Sequence, residues 1–267
     1  MFQNDSGILK LKRLQMPRTS LRDGSNIDPA ELLFEDIGKI DKKNWPVGFE
    51  LEMYESQRSS LCMEKQLDDC LRSLGVDYSE RRYAKFKQRP SSELSAYYIW
   101  NETENGRVDV DAIRQVNRIV GGSNALRKGW LTTTRFKSGH VTQFDCASDP
   151  FTFLKSWVSE FNAPVASSLI MTKAIWLFLD LLVAHPFLDG NGRTARIMLQ
   201  AYLYANGILA GPILPLGPFL QINQRSFLNA ALSWELFDRP SAFFGFMDQA
   251  IRSTAIVSAK LLSRYQA

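Results

Sequence analysis

The chain has 267 residues, 45% of them apolar, and 32 basic against 28 acidic side chains give it a net charge of +4 and a pI near 8.9. That length and apolar content exclude a wholly disordered chain and leave room for one large domain or two small ones. The charge is too modest to call for nucleic acid, since pockets for anions account for it.

The three cysteines, Cys62, Cys70 and Cys146, form neither a disulfide framework nor a zinc spacing and fit a reducing, cytoplasmic setting, which is compatible with translocation into a host cell. Met1 to Ser20 is polar and basic without an apolar centre, so it does not read as a secretory signal. Residues 1–45 hold one compact apolar patch, Leu32 to Ile40, and read as a polar arm with a short helix.

From Val47 to Leu74, residues Phe49, Met53, Leu61, Leu67 and Leu71 recur at roughly helical intervals up to Gly75, where a helix stop belongs. Arg81, Arg82, Lys85, Lys87 and Arg89, interleaved with Tyr83 and Phe86, read as a solvated basic face. Ser91 to Glu104 opens on good N-cap residues and predicts a further helix. Residues 46–108 are thus a helical extension. Asp109 or Asp111 caps the next helix, which carries Ile113, Val116, Ile119 and Val120 and stops at Gly121-Gly122.

Between Gly129 and Asp145 the pattern changes to threonines and β-formers on either side of Lys137, Ser138 and Gly139, with His140, Val141 and Thr142 opening the second arm; this is the one hairpin signal in the chain. After it the pattern is helical again. Asp149-Pro150 is an N-cap followed by proline at the first helical position. Ser167 or Ser168 starts a helix that is apolar nearly all round and therefore buried. Its most apolar part, Trp176 to Ala184, falls short of the roughly 20 residues of a membrane span, so no membrane partner is expected. Asn191 to Asn206 forms a helix closed by Gly207, a loop with Pro212, Pro215 and Pro218 follows, and helices over Gln224 to Phe237 and Pro240 to Gln266 complete the chain.

Between two of these core helices lies a polar cluster, His185-Pro-Phe-Leu-Asp-Gly-Asn-Gly-Arg-Thr-Ala-Arg196. Pro186 ends the upstream helix at or before His185 and pushes that residue toward an extended backbone. Phe187 points inward and pins the loop. Gly190, Asn191 and Gly192 open the next helix, where free backbone N–H groups and the helix dipole favour an anion. Arg193 and Arg196, three apart on one face, can grip phosphate oxygens together, which points to a di- or triphosphate. Asp189 beside this nest is what Mg²⁺ uses, taking its remaining ligands from water and substrate, and His185 can accept the proton of an attacking hydroxyl. Taken singly, the histidine reads as a helix cap and Asp-Gly-Asn-Gly as a turn. All of them in fixed order are poorly explained by packing.

The stretch resembles the signature of the Fic family, His-Pro-Phe-x-(Asp/Glu)-Gly-Asn-(Gly/Lys)-Arg-x-x-Arg, at every specified position from His185 to Arg196. The resemblance covers roughly residues 109–237, leaves 238–267 as a C-terminal helix packed on that core, and implies an all-α, Fic-type helical bundle with one small β-hairpin flap beside the active-site loop. It implies transfer of AMP from ATP to a Ser, Thr or Tyr hydroxyl on an extended segment of a target protein, releasing pyrophosphate. His185 would be the base, Asp189 the Mg²⁺ ligand, Asn191 with the glycine amides the holder of the α-phosphate, and Arg193 and Arg196 the partners of the β- and γ-phosphates. The hairpin around Lys137 to Thr142 would be a flap that aligns the target by strand addition. The similar Doc toxins, which phosphorylate, have Ala-Asn-Lys where this chain has Gly190-Asn191-Gly192, which favours AMP. Other readings are transfer of UMP, phosphocholine or phosphate, and a nucleotide-binding regulatory module without transfer.

Many Fic proteins are inhibited through Ser/Thr-x-x-x-Glu-Gly/Asn, whose glutamate pairs with the second arginine, here Arg196. No strict match occurs. Glu102 and Glu104, in Trp-Asn-Glu-Thr-Glu-Asn, are the nearest candidates for a degenerate internal inhibitor; the alternatives are a separate antitoxin-like inhibitor protein and no inhibition of this kind.

Overall fold

A computed structural model of the chain describes residues 8–11, 108–121, 124–128, 131–135, 141–144, 149–209, 214, 216–237 and 239–265. The expected helices between 46 and 104, the basic run, the three cysteines, the turn from Lys137 to His140, and Glu102 and Glu104 lie outside the described residues.

The architecture is helical with one small sheet. In chain order the elements are β1 (Ile8–Leu11), α1 (Val110–Gly121), β2 (Leu131–Arg135), β3 (Val141–Phe144), α2 (Pro150–Asn162), α3 (Ile170–Ala184), α4 (Asn191–Ala205), α5 (Leu216–Ile222), α6 (Gln224–Phe237) and α7 (Pro240–Tyr265). Local chemistry explains several boundaries. The Asp109 carboxylate accepts from the Ala112 amide at 2.6 Å and caps α1, and the Asp149 carboxylate accepts from the Thr152 amide at 3.0 Å ahead of Pro150. A 3₁₀ turn over Ser167–Leu169 feeds α3. Gly207, at φ 72°, follows the end of α4, where a left-handed residue is needed.

Helix α3 lies at the centre. It packs along α4 and also meets α2 and α7, while α1 covers the other side of α4, and α6 and α7 form a pair. From Thr172 to Leu181 it has no solvent-facing side: even Lys173 and Asp180 are buried. The Trp157 indole N–H donates to the Leu177 carbonyl at 3.1 Å, and Lys173 donates to the Ala163 carbonyl at 2.7 Å, so α2 and α3 are joined by polar contacts as well as apolar packing. One continuous core runs from Val108 to Ile251 and includes Phe243, Met247 and Ile251 of α7. Together with its 3₁₀ turn, the central helix presents 18 apolar-rich residues, Ser167–Ala184, at a mean hydropathy of 1.7. That is longer than the run from Trp176 suggested. Since 72% of this stretch is buried inside the protein, its apolarity is that of a core helix.

Two elements go beyond the sequence reading. Pro218 belongs to a helix, α5, and not to a loop; it occupies the first turn, where a missing N–H costs nothing. The sheet has three strands in the order β1-β3-β2. β2 and β3 form the expected antiparallel pair, Leu131 opposite Phe144 and Arg135 opposite Val141, with a register irregularity between Thr132 and Thr134. β1, from the arm, adds in parallel to the other side of β3 with Ile8 opposite Val141 and Leu11 opposite Phe144.

Candidate active site

The site is built where α3 stops and α4 begins. Pro186 cannot donate, so α3 has to end, and it does so with His185 as its C-cap at φ 49° and ψ 52°. The expected extended backbone at His185 is therefore replaced by the left-handed region. The His185 amide still reaches the Leu181 carbonyl, at 3.1 Å, and closes the last turn, while the carbonyls of Ala184 and His185 turn to a donor from outside the loop, Arg127. The imidazole is half-buried. Its Nδ1 lies 3.1 Å from the Leu182 carbonyl. A carbonyl can only accept, so Nδ1 carries the hydrogen and the lone pair sits on Nε2. Burial holds this imidazole below the usual histidine value, and the Arg127 guanidinium pushes the same way, against the Leu182 contact and the Asp189 carboxylate. The neutral form is thus favoured.

Phe187 is fully buried. Its amide donates to the Asn191 side-chain oxygen at 2.9 Å, and its carbonyl accepts from the Asn191 side-chain nitrogen at 2.8 Å. The asparagine, 2% exposed, thereby closes the loop from His185 to Gly190 on itself. Gly190, at φ 81°, is the N-cap of α4, and its carbonyl accepts the Thr194 amide at 2.8 Å. A side chain at that φ would be strained.

The first turn of α4 presents amides that no helix supplies with carbonyl partners, at the positive end of its dipole. Gly192 sits in that turn, and a β-carbon placed on it would lie 3.7 Å from Arg196 Nη1, so the second arginine of the cluster covers this glycine. Arg193 donates to the Val120 carbonyl at the end of α1, and its Nη2 lies 3.4 Å from the Asp189 carboxylate. Asp189 is exposed, with its other oxygen accepting the Gly190 amide at 2.6 Å. Among the described residues no group of three or more His, Cys, Asp or Glu side chains could hold a metal by itself. A single exposed carboxylate beside an anion nest suits Mg²⁺, which completes its shell with water and phosphate oxygens.

Two residues that hold this site went unmarked in the sequence. Asn117 of α1, fully buried, donates to the Asp189 carbonyl at 2.8 Å and to the Thr194 hydroxyl at 3.0 Å. A signal existed for it: an asparagine at helical spacing from Ile113 and Val120 lies on an otherwise apolar face. Arg127 is 4% exposed and donates to the carbonyls of His185, at 2.6 Å, and Ala184, at 2.9 Å. No sequence pattern singled it out. The backbone around it forms a short antiparallel bridge, Leu126 to Phe187, which ties the segment leading into β2 to the loop. Of the expected flap residues, Val141 and Thr142 lie in β3, and Lys137 to His140 lie outside the described residues.

A profile of the Fic/DOC family matches residues 108–203, which span α1 through most of α4. A curated relative, protein adenylyltransferase fic-1 of Caenorhabditis briggsae, is 27% identical over 107 residues, 39% of this chain and 21% of that protein. The matched part is therefore about a fifth of the relative's length. Among solved structures, a Fic family protein from Desulfovibrio desulfuricans G20 superposes with a TM-score of 0.55 at 14% identity, covering 88% of this chain and 75% of that one. A Fic domain-containing signaling protein from Bacteroides thetaiotaomicron superposes with a TM-score of 0.52 at 16% identity, covering 85% and 93%. At such identities the superpositions speak for the fold alone. Helix α1, the strand pair, the central helix, the looped cluster and α4 are thus the parts of a Fic/DOC family domain, which this chain carries over residues 108–203.

Proposed function

We propose that the chain transfers AMP from Mg-ATP to a Ser, Thr or Tyr hydroxyl of a target protein and releases pyrophosphate. The observation that carries this reading is the 3.1 Å contact of His185 Nδ1 with the Leu182 carbonyl, which assigns the hydrogen to Nδ1 and the basic lone pair to Nε2, in the same short loop as the N-terminal turn of α4. A base and a helix N-terminus joined by five residues, Pro186 to Gly190, suit attack of a hydroxyl on a bound phosphate.

In the reaction, the hydroxyl oxygen forms a bond to the α-phosphorus while the bond from that phosphorus to the oxygen bridging to the β-phosphate breaks. The hydroxyl proton passes to His185 Nε2, and pyrophosphate departs. The amides of the first turn of α4 hold the α-phosphate, in a loop whose shape Asn191 fixes through Phe187. Arg193 and Arg196 take the β- and γ-phosphates. For Arg193 this means exchanging its 3.4 Å contact with Asp189 for phosphate oxygens. Asp189 would hold Mg²⁺, which when bound would supply positive charge beside the phosphates. General-base help of this kind is worth roughly 10² to 10⁴ in rate, and positioning and charge neutralisation supply the rest.

A target segment would join the small sheet by main-chain pairing. β3 has a neighbour on each side, so the segment adds outside β2 or takes the place of β1. The resemblance to relatives named as protein adenylyltransferases supports AMP as the transferred group.

The test uses a lysate and ATP labelled at either the α- or the γ-phosphate. Label should reach protein from the α position only, and His185→Ala should abolish it. Label arriving only from γ would replace this reading with a kinase. Transfer from UTP or a phosphocholine donor in preference to ATP would change the donor, and ATP binding without transfer would leave a regulatory module.

A further inference from the structure

The base at the end of α3 is held from outside its own loop. His185 sits in the left-handed region, where a side chain costs free energy and where glycine is the usual residue. Such a conformation persists only when its surroundings over-determine it. The last carbonyls of a helix also lack partners, and Pro186 brings no N–H to help.

Arg127 meets all of this at once. Its Nη2 donates to the Ala184 carbonyl at 2.9 Å, its Nε donates to the His185 carbonyl at 2.6 Å, and its own amide donates to the Pro186 carbonyl at 3.0 Å. Three consecutive carbonyls are therefore bound by one residue. The Ala184 carbonyl belongs to the peptide before the His185 α-carbon and the His185 carbonyl to the peptide after it. Fixing both planes fixes φ and ψ of His185 together. The guanidinium also sits as a cation at the negative end of the α3 dipole, and it is buried, so water competes little for these bonds. Arg127 lies four residues before β2 begins at Leu131, and Leu188 donates its amide to the Ala125 carbonyl at 3.1 Å, so the same short segment that leads into the sheet grips the loop of the base.

We propose that Arg127 is a positioning residue for His185: one buried guanidinium sets both backbone torsions of the base and ties it to the root of the strand pair that would align the target. The inference rests on His185 being the base of the proposed transfer. Lysine is a poor substitute here, because a point charge on a flexible stem cannot present two donors in one plane. The nucleotide contacts lie on α4 and Asp189, so loss of Arg127 should appear in turnover and not in binding of Mg-ATP.

The experiment compares the full chain with Arg127→Lys, Arg127→Met and His185→Ala. Arg127→Met should lower kcat by on the order of 10²-fold, the scale of a misplaced catalytic group, with the KM for Mg-ATP changed by less than about twofold, as expected when binding common to ground and transition states is kept. Arg127→Lys should fall between it and the wild type. The second readout needs no turnover. The chain has two histidines, so ¹⁵N-histidine labelling gives two imidazole signal sets, and His185→Ala identifies which belongs to residue 185. The wild type should show the Nδ1–H tautomer, and both Arg127 variants should shift toward a mixture. Wild-type kcat and an unchanged tautomer in the folded Arg127→Lys protein would overturn the inference. Retained transfer by His185→Ala would instead remove the base on which it rests, and a tautomer shift in the Arg127 variants would still establish the positioning contact itself.

Discussion

The side chain of Asn191 grips both main-chain polar groups of Phe187, accepting from its amide at 2.9 Å and donating to its carbonyl at 2.8 Å. Both residues are buried, so water cannot replace these bonds. Asn191→Ala leaves a buried donor and a buried acceptor without partners, at about 1 to 3 kcal/mol each. The expected outcome is a fall in unfolding free energy of about 2 kcal/mol or more, read as a lower urea midpoint at unchanged m-value, together with loss of transfer. Asn191→Asp keeps the acceptor but turns a buried carboxylate oxygen toward the Phe187 carbonyl, so at neutral pH it should be at least as destabilising as Asn191→Ala.

Asn117 tests the same loop from the other side. It joins α1 to the Asp189 carbonyl and the Thr194 hydroxyl, both near the turn into α4. Asn117→Ala should cost about 1 to 3 kcal/mol, since the Thr194 hydroxyl is fully buried and loses a partner. Because the carbonyl it holds belongs to Asp189, the residue proposed to hold Mg²⁺, the proposed transfer should need a higher Mg²⁺ concentration in this variant. An unchanged denaturation midpoint would show that the hydrogen bonds of Asn117 carry no net stability.

Much of this fold can be read in the sequence because its signals are local. Asp149-Pro150 is an N-cap and N1 pair in both sequence and structure, and the all-round apolar pattern after Ser168 does belong to the central helix. The polar cluster could be read for the same reason: its chemistry is packed into twelve consecutive residues. What stayed hidden depends on partners distant in sequence. Arg127 looks like any loop arginine until the fold carries it to carbonyls about 57 residues away. β1 pairs with a strand more than 130 residues later, and four residues of ordinary composition give no hint of that. The conformation of His185 was misread because Pro186 restricts its neighbour in general terms, whereas the helix end and Arg127 select the left-handed alternative.

The depressed pKa of His185 has two consequences with definite signs. In the proposed transfer His185 works in its neutral form, so the acid limb of the kcat/KM profile, which reports the free chain, should lie below the usual histidine value of about 6.5. For stability, the folded state binds the proton more weakly than the unfolded chain does. The contribution is therefore fully present above about pH 6.5 and is lost as pH falls through the lower folded value. ¹⁵N NMR titration of His185 alongside urea midpoints from pH 5 to 8 checks both. A His185 that titrates above its usual value would contradict them.

The two glycines of the cluster should respond oppositely to alanine. Gly190 caps α4 at φ 81°, a conformation that alanine resists, so Gly190→Ala should lose on the order of 1 to 2 kcal/mol of stability. Gly192 lies inside the first turn of α4 with ordinary helical torsions, and an added β-carbon there would meet Arg196 Nη1 at 3.7 Å and Leu182 Cδ1 at 3.8 Å, both normal contacts. Alanine should be accepted at this position and even stabilise the helix by roughly 0.5 to 1 kcal/mol, since glycine is the more costly helical residue. In the proposed transfer the added methyl would nonetheless crowd the turn whose amides take the α-phosphate. Gly192→Ala should thus melt at or above the wild-type temperature while binding Mg-ATP more weakly, a separation that calorimetry of folding and of nucleotide binding can read from the same sample. Undiminished ATP affinity in Gly192→Ala would place the phosphates away from this turn and take the anion nest out of the mechanism.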